Sequence, residues 1–264
     1  MNILALSDLG ERDIQAIWAL VGAADSPLGG TVAWSFEGNG IRTRATFIQA
    51  FRELGLQFTE LPNLLKTHER VEDLAGYLDL FFTHYVIRES DHARLVAFAK
   101  ASSRPVVNAM TGLGHPCEVL TDAYFIDRTI QPLASATVCL WGPTTNVFRS
   151  WHELAAVLGV TVIHVCEERH HEAGSVVHFT AKLPAHADVV ITDGWPSDVE
   201  GSLSPLTAEH LAHLGFPALL PTPPFTVGRE LCVDPLNYPG FVGYAQKGLL
   251  LPVHKAILRY ATAA

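Results

Sequence analysis

Phe36-Glu37-Gly38-Asn39-Gly40-Ile41-Arg42-Thr43-Arg44 leads out of a β-branched and aromatic run, Thr31 to Phe36, through two glycines and into a basic stretch with helical spacing. Strand, glycine turn and helix is the unit from which open parallel sheets are built, and such sheets bind ligands where helix starts gather at the carboxyl ends of strands. The backbone N–H groups of that helix start, joined by the Thr43 hydroxyl and the Arg42 fork, suit a phosphate or a carboxylate. A tight turn carrying two solvated arginines is the other reading of the same residues.

The pattern repeats outward from this stretch. Strand-like runs recur at Leu78 to Tyr85, Pro105 to Asn108, Thr137 to Trp141, Val160 to Val165, Ala187 to Thr192 and Ala218 to Leu220. Helical spacing fills Ile14 to Val21, Arg42 to Leu54, Asp91 to Ala101, Cys117 to Asp127, Thr145 to Leu158, Ala208 to Leu214 and Phe241 to Ala261. Alternation of this kind predicts an α/β protein with parallel sheets covered by helices. The stretch Asp127 to Ala136 interrupts it ahead of a fresh strand, and 264 residues suffice for two modest domains. The expected division is 1–130 and 131–264.

Two further strand ends carry chemistry. Asn108-Ala109-Met110-Thr111-Gly112-Leu113-Gly114-His115-Pro116-Cys117-Glu118 is again strand, glycine turn and helix start. Its glycines form half of a dinucleotide fingerprint, but no third glycine follows, so a nicotinamide cofactor is not expected. A histidine held at a helix start by the following proline can donate to a developing oxyanion, and it can equally be a capping or core residue. In Thr192-Asp193-Gly194-Trp195-Pro196-Ser197 an apolar strand runs into an acidic and aromatic loop. Asp193 there could hold an ammonium and Trp195 could wall a pocket, or the pair could be an Asx turn with a packed tryptophan. The run His164-Val165-Cys166-Glu167-Glu168-Arg169-His170-His171 matches no closed zinc spacing, so no metal is expected.

The formal charge of −9 argues against a nucleic-acid partner, which calls for a basic face. No apolar run approaches the roughly 18 residues of a membrane span, and the start, MNILALSDLGERD, has no basic flank or cleavage site, so no membrane association and a cytoplasmic location are expected. Cys117, Cys139, Cys166 and Cys232 are too dispersed for a disulfide framework.

Taken in order, these motifs resemble the aspartate/ornithine carbamoyltransferase family. Gly40-Ile41-Arg42-Thr43-Arg44-Ala45-Thr46-Phe47 is similar to its Ser-Thr-Arg-Thr-Arg signature, and His115-Pro116-Cys117-Glu118 with Leu120 and Asp122 to its His-Pro-Cys-Gln motif. Asn146, Val147 and Ser150 resemble its Asn-Val and Ser, Thr192-Asp193-Gly194-Trp195 its Thr-Asp-Val-Trp, and Gln246 the glutamine ahead of its closing helix. The resemblance implies two Rossmann-like domains, the first for carbamoyl phosphate and the second for an amino-acid-like amine, with the C-terminal helix packing back on the first. It also implies a homotrimer with sites at subunit boundaries and no cofactor. Carried over, Arg42 and Thr43 hold phosphate in a cradle with Gly40, Ile41 and Arg44. His115 and Arg42 polarise the carbonyl, Asp193 orients the acceptor's amino group, Asn146 its carboxylate end, and Trp195 and Ser197 complete the acceptor side.

Several positions depart from the family pattern. Its Ser-Thr is Gly40-Ile41, its Gln is Glu118, and its His-Cys-Leu-Pro is Ala218-Leu219-Leu220-Pro221. The arginine expected five residues after Asp79 is His84, with Arg88 nearby as a substitute, and Lys-Gly-Glu-Ser is reduced to Thr67-His68-Glu69-Arg70. These departures leave three readings open: a divergent carbamoyltransferase, a non-catalytic binding or subunit-partner protein, and a transferase using a different donor.

Overall fold

The computed structural model describes residues 1–24, 26–196 and 204–263, and the chain divides into two compact units, Met1–Thr121 with Leu249–Ala264, and Asp122–Gly248. The first unit contains α1 (Glu11–Ala19), β1 (Thr31–Phe36), α2 (Ile41–Glu53), β2 (Gln57–Glu60), α3 (Val71–Leu78), β3 (His84–Arg88), α4 (His92–Ala101) and β4 (Val106–Met110). Its sheet has the order β2-β1-β3-β4 and every pairing is parallel.

Burial explains this order. Val32, Ala33 and Trp34 of β1 are inaccessible to solvent, as a central parallel strand covered on both faces must be. In α2, Thr43, Phe47, Ala50 and Phe51 recur at helical spacing and form its buried stripe, and the rings of Phe47 and Phe51 lie 5.5 and 5.7 Å from that of Trp34. Removing a buried aromatic of this kind typically costs about 3–5 kcal/mol.

The next helix, α5 (Pro116–Phe125), runs through the division, which falls between Thr121 and Asp122 and ahead of the break read near residue 130. The second unit holds β5 (Thr137–Trp141), α6 (Asn146–Leu158), β6 (Thr161–Val165), β7 (His178–Thr180), β8 (Val189–Thr192), α7 (Ala208–His213), β9 (Ala218–Pro221) and α8 (Gly243–Lys247). Its sheet is also parallel throughout, in the order β7-β6-β5-β8-β9. Thr145 caps α6 by accepting from the Phe148 N–H at 3.3 Å, and Gly159, at φ 68°, ends it.

The chain then returns to the first unit through α9 (Leu250–Ala263). Lys255 pairs with Glu53 at 2.8 Å, the Tyr260 hydroxyl donates to Asp13 at 2.5 Å, and His254 stacks on Phe47 with ring centroids 4.0 Å apart.

Three sequence expectations differ from the structure. The run Leu78 to Tyr85 is not one strand: Leu78 ends α3, a turn follows, and β3 starts at His84. Leu80 and Phe81, apolar enough to look like strand, are 75% and 67% exposed in that turn. The expected helix Phe241 to Ala261 is broken between α8 and α9, and α3, β2 and β7 were not anticipated. Among the described residues no helix is long and apolar enough to cross a membrane, and no group of three or more ligating side chains could hold a metal ion.

Candidate functional site

In the first unit, β1 hands over to α2 through Gly38, at φ 72°, and Gly40, the residue capping the helix. Gly40 has no room for a side chain. A Cβ there would sit 2.3 Å from the Phe36 ring and 2.8 Å from an Arg88 Nη. The missing family serine is therefore a steric fact of this turn, occupied by Phe36 and Arg88. Arg42 is exposed at the start of α2, Thr43 is buried, and Ile41 is 72% exposed. Arg44 turns away to pair with Glu60 at the end of β2, and its guanidinium carbon lies 4.9 Å from the centroid of the Phe36 ring. Arg44 thus braces the turn, and Arg42 is the arginine of the pair most open to an anion.

His84 does not belong to this group. It pairs with Val32 at the entry of the sheet, whereas Phe36 pairs with Arg88 at the exit, four residues or about 13 Å further on. The His84 ring is bound by Thr83 at 2.8 Å and Thr262 at 2.8 Å, and burial lowers its proton affinity. Arg88, which the sequence offers as a substitute, lies at the strand exit instead. Its Nε donates to the Glu37 carbonyl at 3.2 Å and its guanidinium lies 5.1 Å from the centroid of the Phe36 ring. Asp79 lies in the turn after α3 rather than at the start of a strand, which puts His84 at the entry of β3.

The turn after β4 is built around Thr111. Its N–H donates to the Gly114 carbonyl at 2.8 Å, and the Gly114 N–H donates back to its hydroxyl at 3.1 Å. Gly112 lies so close to the Ser90 carbonyl that a Cβ would approach it to 2.8 Å, which ties this turn to the exit of β3. The turn delivers His115, buried, to the residue before Pro116. Cys117 is fully buried, its thiol donates to the Asn108 carbonyl at 3.3 Å, and burial with Glu118 nearby pushes its pKa far up. A thiol so held is inert packing and not a nucleophile. Glu118 is itself buried, at 5% exposure.

In the second unit, Asp193 and Trp195 follow β8, both 9% exposed. Asp193 accepts from the Gly194 N–H at 2.8 Å, the short-range turn geometry its sequence suggests. The Trp195 indole lies over Gly142, at the exit of β5, where a Cβ would come within 2.6 Å of its Nε1 and where φ is +136°. Asn146 opens α6 and Ser150 is fully buried one turn on. Ser197 lies outside the described residues.

Three positioning groups here escaped sequence reasoning. Glu230, 1% exposed, accepts from the Trp195 N–H at 2.9 Å and the Thr226 N–H at 2.7 Å. Arg229 donates to the Pro196 carbonyl at 2.8 Å. His164, fully buried, is bonded through Nε2 to the Gly142 carbonyl at 2.8 Å and through Nδ1 to His152 Nε2 at 3.1 Å. Burial holds His152 near a pKa of about 4 and His164 near about 3, so both are neutral. Nothing local in the sequence links Glu230 to Trp195, 35 residues away. His164 was visible only as part of a histidine-rich run.

Residues 2–128 match the family model described as the aspartate/ornithine carbamoyltransferase, carbamoyl-P binding domain. The chain is 30% identical over 224 residues to the ornithine carbamoyltransferase of Agrobacterium fabrum, covering 74% of this chain and 73% of that one. With the ornithine carbamoyltransferase of Methanopyrus kandleri it shares 30% over 227 residues, covering 74% and 72%. The solved ornithine carbamoyltransferase from Pyrococcus furiosus superimposes with a TM-score of 0.90 over 100% of this chain and 97% of that one, at 22% identity. The one from Gloeobacter violaceus does so at 0.88, over 100% and 98%, at 24% identity.

Two parallel α/β units are the fold that the solved ornithine carbamoyltransferases share with this chain. The chain belongs to the aspartate/ornithine carbamoyltransferase family and is similar within it to the ornithine carbamoyltransferases.

Proposed function

We propose that this protein moves a carbamoyl group from carbamoyl phosphate to the amine of an amino-acid-like acceptor. The observation that carries this reading is the Gly40 turn: Arg42, Thr43 and the backbone N–H groups open α2 there, and an Arg88 Nη lies against Gly40. Two guanidinium groups and a helix start suit a phosphate dianion. In this reading a neutral amine shares its lone pair with the carbamoyl carbon, and the carbonyl electrons move onto oxygen. His115 and Arg42 stabilise that oxyanion. Its collapse breaks the bond to phosphate, and the amine's surplus proton leaves with the departing phosphate or to solvent.

On the acceptor side, Asp193 takes the ammonium of the amino acid, Asn146 its carboxylate end, and Trp195 bounds the side chain. The family resemblance also supports a homotrimer working in the cytoplasm. A single assay tests the reading: the purified protein is given carbamoyl phosphate and a panel of amino-acid amines, and ureido product is measured. Product with one acceptor, lost in Asp193→Ala, supports it; no product with any amine rejects it.

A second reading, a transferase using a less charged donor, is favoured by one observation. Glu118 is a buried carboxyl where the family has an amide, and an ionised carboxylate repels a phosphate dianion.

A further inference from the structure

Lys66 ends the short helical turn Leu64–Lys66, and its ammonium lies 2.5 Å from Glu89 Oε1 and 3.4 Å from Glu37 Oε2, donating also to Ser90 Oγ at 2.9 Å. Glu37 is the first residue after β1 and Glu89 the first after β3. Since β1 and β3 are adjacent, the two carboxylates stand together at the exit of the sheet, one of them 2% exposed. The backbone bearing Lys66 is pinned as well: Arg94 donates to the carbonyls of Leu65 at 2.5 Å, Thr67 at 2.9 Å and Glu69 at 3.1 Å.

This cluster is continuous with the Gly40 turn. The Glu37 carbonyl accepts from Arg88 Nε, and an Arg88 Nη lies against Gly40. Two carboxylates beside a site for a dianion are a liability. Two carboxylates that both reach one ammonium stand close enough to repel each other. Bare carboxylates would also compete with the ligand for Arg88. A cation lodged between them removes both effects, and Glu37 is held ionised below its usual range chiefly by the Ser90 N–H, with Lys66 adding to it.

We propose that Lys66 is a positioning residue of the donor site, neutralising the Glu37–Glu89 pair so that Arg88 and Arg42 stay available to the donor's phosphate. The inference rests on the carbamoyl-phosphate reading above and adds a cation that acts without touching the ligand.

Titration calorimetry with carbamoyl phosphate, and with inorganic phosphate as a second probe, tests it on the wild type, Arg42→Ala, Lys66→Met, Lys66→Arg and Lys66→Met with Glu37→Gln. Lys66→Met is expected to weaken binding about tenfold, Lys66→Arg to retain it, and the added Glu37→Gln to recover most of the loss. Lys66→Met binding like wild type, or a double variant no better than the single one, overturns the proposal, because a loop-holding role alone predicts no recovery. Should Lys66→Met fail to fold, Lys66→Gln with and without Glu37→Gln takes its place: weakened binding that the second change recovers supports the proposal, and unweakened or unrecovered binding overturns it. Wild-type protein that binds neither probe, or binds them independently of Arg42, overturns the donor reading and this inference together. Arg42-dependent binding that ignores Lys66 overturns this inference alone.

Discussion

Gln246 donates through Nε2 to Asp122 Oδ1 at 2.5 Å, with both side chains fully buried in the second unit. These two residues stand 124 positions apart, one in the helix that carries His115-Pro116 and the other in α8. Each was recognisable in the sequence as a fragment of a separate motif, and the fold joins them as one buried contact. A hydrogen bond to a buried carboxyl is worth about 1.5–3 kcal/mol. Gln246→Ala is therefore expected to lower stability by about 2 kcal/mol, read as a fall in the urea midpoint at unchanged slope.

Glu230 holds the backbone of Trp195 and of Thr226, so its loss should loosen the acceptor side without touching the Gly40 turn. Glu230→Ala is expected to raise the acceptor's KM at least tenfold, in line with two lost charged hydrogen bonds at about 1.5 kcal/mol or more each. Carbamoyl phosphate affinity is expected to stay as in wild type. A KM within experimental error of the wild-type value would show that this carboxylate does not govern the acceptor loop.

The alternation of strands and helices, and hence the fold class, was legible because β1, β5 and β8 are short apolar runs followed by glycine turns. β2 was not, since Gln57, Thr59 and Glu60 face solvent at a sheet edge and carry no apolar signal. The slip from Arg88 to His84 has a single cause. Leu80 and Phe81 have strand-like side chains, and only the solvent exposure of the turn after α3 distinguishes them from strand. Arg42, His115 and Asp193 could be named from local motifs; Glu230, Lys66 and His164 act through partners distant in sequence, which local pattern does not reveal.

The family hydroxyls absent at Gly40 and Ile41 should respond differently to replacement. Gly40→Ser drives a Cβ into the buried Phe36 ring, an overpacking expected to cost about 1–3 kcal/mol and to weaken anion binding by displacing Arg88. Ile41 is mostly exposed, so Ile41→Thr should change stability by no more than about 0.5 kcal/mol while adding a hydroxyl donor that tightens carbamoyl phosphate binding. Melting curves and binding isotherms on the two variants check both halves of this contrast.

His152 and His164 give stability a pH dependence of definite sign. Their folded pKa values, about 4 and about 3, lie below the unfolded value of about 6.5, so the unfolded chain binds more protons across that interval. Their contribution is complete above pH about 6.5 and falls as pH drops through the folded values. The urea midpoint should be lower at pH 5 than at pH 7.5, and His152→Phe should reduce the difference. A midpoint that rises on acidification over this range would contradict the neutral, buried pair.

Calorimetric titration of carbamoyl phosphate into wild-type protein and Arg42→Ala tests the central claim most directly. The account predicts saturable binding by the wild type, weakened at least tenfold in Arg42→Ala, because a bidentate charged contact of about 1.5–3 kcal/mol is removed from an exposed residue with little effect on folding. Equal binding by the two proteins, or none by the wild type at millimolar ligand, would contradict the assignment of the Gly40 turn as the donor site.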